Sequence, residues 1–155
     1  MKRIIAYSIV IVLVGIQFIR PARNIAAPGP NPNDLTVLHP TPSAVKVILE
    51  KACYDCHSDT TRYPWYANVQ PVAWWLDHHI KDGKRHLNFS QFGKYNAKRA
   101  GKKLEQIIDE TREVGMPLTS YTLIHQDAKL TDSEVKALVH WVNSIPHQTE
   151  PKEHN

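Results

Sequence analysis

Cysteine and methionine are almost absent from this chain of 155 residues. The cysteines are Cys53 and Cys56, and Met116 is the single methionine after the initiator. With no second C-x-x-C, a four-cysteine zinc site is excluded. No glycine-rich phosphate loop, dinucleotide fingerprint or nucleophile elbow is present, so the enzyme classes built on them have no foothold. Acidic residues are missing from the first 20 positions, which hold Lys2, Arg3 and Arg20. Those three account for most of the formal charge of +4; without them 16 Lys and Arg face 15 Asp and Glu. The remainder is near neutral, and nothing in it points to nucleic acid as a partner. No βαβ pattern surrounds the cysteines, as a thioredoxin-like redox pair would require.

Both cysteines fall in one word, Cys53-Tyr54-Asp55-Cys56-His57, which reads C-x-x-C-H. This is the attachment signature of c-type haem. Two thiols three positions apart can each form a thioether with a haem vinyl group, and the adjoining imidazole can ligate the iron. The reading is one covalent haem c per chain, held by Cys53 and Cys56 with His57 on the metal.

The long apolar run is confined to Ile4–Ile19, interrupted by Ser8, Gly15 and Gln17. As a helix it would measure about 24 Å. Residues 1–20 are therefore expected to be an uncleaved signal anchor or transmembrane segment. A cleaved signal is the alternative, although Ile25-Ala26-Ala27 is a poor cleavage site. Haem attachment of this type takes place outside the bacterial cytoplasm. The expected location is thus the inner membrane, single-pass, with the domain in the periplasm, or the periplasm itself after cleavage. Residues 21–42 carry Pro21, Pro28, Pro30, Pro32, Pro40 and Pro42. That density predicts an extended, semi-stiff linker holding the domain away from the membrane.

Residues 43–146 read as one helical domain. Ser43 is expected to cap a helix whose stripe is Val45, Ile48, Leu49 and Ala52, running straight into Cys53. Nine of the 13 aromatics lie between Tyr54 and Tyr95, and such rings suit the walls of a haem crevice. A short helix over Val72–Ile80 should end near Gly83. A longer one over Asn96–Val114 has the inner stripe Ala97, Ala100, Leu104, Ile107, Ile108 and Thr111. Lys94, Lys98, Arg99, Lys102 and Lys103, with Lys81, Lys84 and Arg85, form a basic stretch. It reads either as a docking surface for an acidic redox partner or as a solvated face. Thr131-Asp132-Ser133-Glu134 is a capping box opening a last helix with the stripe Val135, Leu138, Val139 and Val142, stopped by Pro146. Residues 147–155 read as a polar tail.

Gly115-Met116-Pro117 closes the longer helix, 59 residues beyond His57. That is enough chain to bring the Met116 thioether to the other face of a haem, where it is the usual sixth ligand of electron carriers. His78 is its rival, and His79, His86 and His125 are weaker candidates.

The order C-x-x-C-H, Met-Pro loop, capped helix with a tryptophan resembles the class I cytochrome c fold. More closely, the chain resembles the bacterial haem-binding domain family. The shared words are Cys-Tyr-Asp-Cys-His-Ser (53–58), Tyr-Pro-Trp-Tyr (63–66), Pro-Val-Ala-Trp-Trp-Leu (71–76), His78, Leu-Asn-Phe-Ser (87–90), Met-Pro-Leu (116–118), Tyr121 and His125. The resemblance covers about 44–145 and implies a monohaem c-type domain. The fold expected is all-α, a small class I cytochrome c-like domain around one covalent haem, preceded by an N-terminal membrane anchor helix. The function expected is electron transfer with redox partner proteins, not catalysis. The alternatives are a haem-based peroxidase with His78 or His125 as acid–base group, and a sensor module with an open or His-ligated iron.

Overall fold

The computed structural model describes residues 1–146, so the tail expected at 147–155 lies outside the described residues. Among them the regular elements are all helical. In order they are α1 (Lys2–Ile16), α2 (Leu35–Leu38), α3 (Ser43–Ala52), the one-turn α4 (Tyr54–His57), α5 (Val72–His86), α6 (Ala97–Arg112), the short α7 (Thr119–Thr122) and α8 (Asp132–Ser144). Single 3-10 turns lie at Trp65–Asn68, Phe89–Lys94 and Gln126–Ala128.

The core forms where α3, α6 and α8 bring their stripes together. Val45, Ile48 and Leu49 of α3 and Leu138, Val139 and Val142 of α8 are buried, as their spacing predicts, and meet Leu104, Ile107 and Ile108 of α6. Phe89, Phe92, Leu35 and Trp141 complete it. The capping box at the start of α8 is formed in both directions between Thr131 and Glu134. Glu134 also pairs with Lys51 at 2.7 Å, tying α8 to α3. Ser43 is the first helical residue rather than the cap: Pro42 occupies that position, and its carbonyl accepts from the Lys46 amide at 3.0 Å. Ala97 is exposed and Gly101 takes its place in the buried face of α6.

The N-terminal expectation of a spanning helix is corrected. α1 has 15 residues, about 22 Å at 1.5 Å per residue, against a hydrocarbon core of about 30 Å. No helix among the described residues is long and apolar enough to cross a membrane. Gln17 follows as the residue that caps its C-terminal end. Its side chain exchanges hydrogen bonds with the Gln70 backbone, Nε2 donating to the carbonyl at 3.3 Å and Oε1 accepting from the amide at 2.9 Å.

The proline-rich stretch also differs from a free spacer, because it lies against the domain as a strap. Asn24 is its main fastening. Its backbone amide donates to the Tyr63 hydroxyl at 2.7 Å, its carbonyl accepts from the Thr61 amide at 2.9 Å, and its side chain reaches Ser58, Thr61 and Lys84. Farther along, Asn31 donates to the Ser90 carbonyl and the Asn33 carbonyl accepts from the Gly93 amide. Within it Leu35–Leu38 is helical, with Leu35 buried in the core; elsewhere the prolines disfavour regular structure and asparagine side chains supply the fastening.

Candidate haem site

The attachment word becomes a single tight turn. α3 ends at Ala52 and Cys53 leaves helical geometry, with φ −127° and ψ −47°. Its carbonyl then accepts from the amides of Cys56 at 3.2 Å and His57 at 2.9 Å. Residues three apart on such a turn share a face. Cys53, Cys56 and His57 all line one cavity of about 450 Å³, within the roughly 300–1,000 Å³ of cofactor sites. The cysteines are not bonded to each other. Burial pushes the Cys53 thiol up to about 12, helped by its neighbour Cys56. Burial also pushes the Cys56 thiol up to about 11, helped by Asp55. Both remain protonated at neutral pH, the opposite of the activated thiolate of a redox pair. Among the described residues no three His, Cys, Asp or Glu side chains are grouped to hold a metal ion.

The cavity is kept close to this turn by a glycine. α5 runs on past Gly83 to His86, contrary to the stop expected there. A Cβ at Gly83 would sit 2.7 Å from the Cys56 carbonyl oxygen, so glycine is what allows α5 to press against the turn. That contact delivers the orientation of His57. Its Nδ1 is 3.0 Å from the Leu87 carbonyl, just beyond α5. A carbonyl can only accept, so Nδ1 carries the proton and Nε2 keeps its lone pair. Burial lowers the imidazole's affinity for a second proton, and this outweighs the bonds to the Leu87 and Gly83 backbone. The result is a neutral imidazole with a free nitrogen, the form that ligates a metal.

The opposite wall comes from the segment after α6. Val114 turns the chain with φ 60°, and the amides of Gly115 and Met116 both donate to the Glu110 carbonyl, at 2.9 and 3.1 Å. Met116, Pro117, Leu118 and Tyr121 then line the same cavity as the cysteines. Tyr121 ties the two walls together: its hydroxyl donates to Asp55 Oδ2 at 2.8 Å. Asp55 lies between the cysteines and is itself gripped by Arg62, through the backbone amide at 3.0 Å and Nε at 3.1 Å. Burial, then the bond to Asp55, holds the Tyr121 hydroxyl protonated far above its usual range. Behind Tyr121 the His125 ring stacks at 4.3 Å, and His125 Nε2 meets the Tyr66 hydroxyl at 2.7 Å.

The structure thus brings Cys53, Cys56, His57 and Met116 together. His78 is exposed and does not line the cavity; neither does His125, whereas His79 and His86 do. The aromatic expectation needs correction. Of the rings between Tyr54 and Tyr95, Phe89 alone lines the cavity, while Trp65, Trp74 and Trp75 face outward. The sequence pointed to no role for Asp55, took Gly83 for a helix stop, and reached Tyr121 only as part of a resemblance. The partners of all three are distant in sequence, and only the close spacing of Asp55 to both cysteines offered a hint. The cations of α5 are neutralised: Lys81 pairs with Asp77 at 2.7 Å, Lys84 with Asp59 at 2.8 Å, and Arg85 with Asp82. Lys103 reaches the cavity rim, where burial first, then Arg99 and Lys102, lower its proton affinity.

These residues fit an iron porphyrin. Cys53 and Cys56 would hold its edge, His57 Nε2 would approach the iron from one side, and the mainly apolar walls would exclude water from its faces. The fold and site therefore define a helical haem-binding protein. The family model described as a haem-binding domain matches residues 11–144, and the chain belongs to that family. The match begins within α1 and takes in the strap. No curated protein and no solved structure matches the chain.

Proposed function

We propose that this chain is a monohaem c-type cytochrome that carries electrons and is not an enzyme. The observation that carries the reading is that both thiols, the neutral imidazole of His57 and the Met116 loop face one cavity. Cys53 and Cys56 would hold the haem through thioethers, each formed by adding S–H across a vinyl group, sulfur to one carbon and hydrogen to its neighbour, with no oxidant consumed. His57 Nε2 and Met116 Sδ would be the ligands of its iron. Haem supplies a one-electron couple, and a thioether ligand raises its potential relative to bis-histidine ligation. Tyr121 and Asp55 hold the Met116 loop across from the attachment turn.

Two further readings belong with this one. The domain works outside the bacterial cytoplasm, where such attachment takes place, with redox partner proteins docking at the cavity rim. The N-terminal segment is retained, because removal after Ala27 would delete Asn24 and with it the bonds to Ser58, Thr61, Tyr63 and Lys84. α1, with no buried side chain, then holds the protein to the lipid.

The test is protein matured in a strain competent for cytochrome assembly. Its mass should exceed that of the polypeptide by one haem that survives denaturation. Its ferric spectrum should be low-spin, with the weak long-wavelength band of sulfur ligation, and Met116→Ala should abolish that band. Bare polypeptide mass would refute covalent attachment. An unchanged low-spin spectrum in Met116→Ala would move the sixth ligand to a histidine.

A further inference from the structure

We propose that the face built from residues 17–23, the Trp65–Asn68 turn and the start of α5 is a docking surface for an anionic phospholipid bilayer. The inference rests on the reading of α1 as lipid-bound and adds that the haem domain sits on the membrane in a fixed pose. Three observations support it.

First, the junction between α1 and the domain is stiff. The reciprocal Gln17–Gln70 bonds are joined by two donors to the Ile19 carbonyl, Gln70 Nε2 at 2.7 Å and Trp74 Nε1 at 3.0 Å. Gln70 is buried. Whatever covers α1 and the exposed side chains of Phe18 and Ile19 must therefore also meet the surface bonded to them.

Second, that surface is apolar where a soluble surface would be polar. Trp65 is 79% exposed, Trp75 45% and Trp74 36%, with Val69 and Val72 exposed beside them. Trp74 turns its one polar atom inward to Ile19 and its ring outward. Tryptophan rings in this setting prefer the membrane–water interface, and apolar patches of this kind mark an interaction surface.

Third, the cations are placed for phosphate groups. Arg20 and Arg23 lie between α1 and the turn, in a small pocket that they share with Asn68 and Ala73. Arg23 is held there by Asn68 Oδ1 at 2.7 Å and by the Tyr63 ring at 4.9 Å. The carboxylate in that pocket, Asp77, is already paired with Lys81.

Docking this way has a consequence for the haem site. Trp75 packs on His79 with ring centroids 4.1 Å apart, and His79 lines the cavity. The face thus ends at the cavity mouth, and docking fixes the height of the haem edge above the lipid.

The test uses the full haem-loaded chain in vesicles of zwitterionic and anionic phospholipid, doped with a phospholipid bearing a diazirine at glycerol depth. After irradiation, lipid adducts are mapped by mass spectrometry. The expected result is adducts on α1 and on 65–75, with none on Val47 of α3, which is 58% exposed. Omitting the anionic lipid should reduce adducts at 65–75 and leave those on α1. Adducts on α1 without any on 65–75 would overturn docking and leave the anchor reading standing. No adducts anywhere would overturn both. Absence of lipid adducts at 65–75 together with a dimer of the haem-loaded chain in sedimentation would assign the face to a second copy and overturn the proposal.

Discussion

Tyr121→Phe removes one oxygen from the link between the two walls of the cavity. The ring that stacks on His125 is kept, and Asp55 keeps Arg62, so the variant isolates the hydroxyl. A hydrogen bond to a charged acceptor contributes about 1.5–3 kcal/mol. This one is partly buried and its acceptor retains other donors, so the low end, about 1.5 kcal/mol, applies. If the bond is what holds the Met116 segment shut, the open form becomes about tenfold more populated. Hydrogen exchange of the amides at 118–122 should accelerate by that factor. In haem-loaded protein, exogenous imidazole should displace the sixth ligand with about tenfold tighter apparent affinity. The amides of α8, which do not touch this link, should exchange faster only to the extent that global stability falls. Wild-type exchange at 118–122 together with wild-type imidazole affinity would refute the latch.

Three further outcomes follow from the geometry. Gly83→Ala should destabilise by about 2 kcal/mol, because the new methyl meets backbone it cannot displace freely; helix propensity alone would stabilise by about 1 kcal/mol, so the sign seen in urea denaturation decides between the two. Val114→Gly should stabilise by about 1 kcal/mol by relieving a left-handed β-branched residue, read as a higher urea midpoint, and a lower midpoint would contradict it. Glu134→Gln should cost about 0.5 kcal/mol at pH 7: glutamine can keep the capping-box bond, but the partly exposed ion pair with Lys51 is lost, and such pairs contribute about 0.2–1 kcal/mol. The bond from Lys51, then the Thr131 amide, hold the Glu134 carboxyl below its usual range. Its stabilisation is therefore present above the unfolded value of about 4.3 and is lost as pH falls through the lower folded value. The difference between Gln variant and wild type should close over that acid window, and a gap independent of pH would argue against it.

The sequence by itself determined the features that are written locally. C-x-x-C-H fixes two thiols and an imidazole on one turn whatever surrounds it. The stripes of α3 and α8 and the Thr131–Glu134 capping box follow from a 3.6-residue period and a four-residue word. Met116 stood out as a sixth-ligand candidate, with His78 as its rival, because the chain offers no other thioether past its first residue. Tertiary structure alone decided which wall holds which. Asp55 meets Tyr121 across 66 residues, Gly83 is a contact rather than a helix stop, and Asn24 makes a strap of what reads as a spacer. It also turned Trp65, Trp74 and Trp75 outward, where aromatic content alone placed them around the cavity. The physical reason is common to these cases. Periodicity records which face of an element is apolar, but a hydrogen bond or a close approach between distant segments depends on how the elements pack, and no spacing in the chain encodes that.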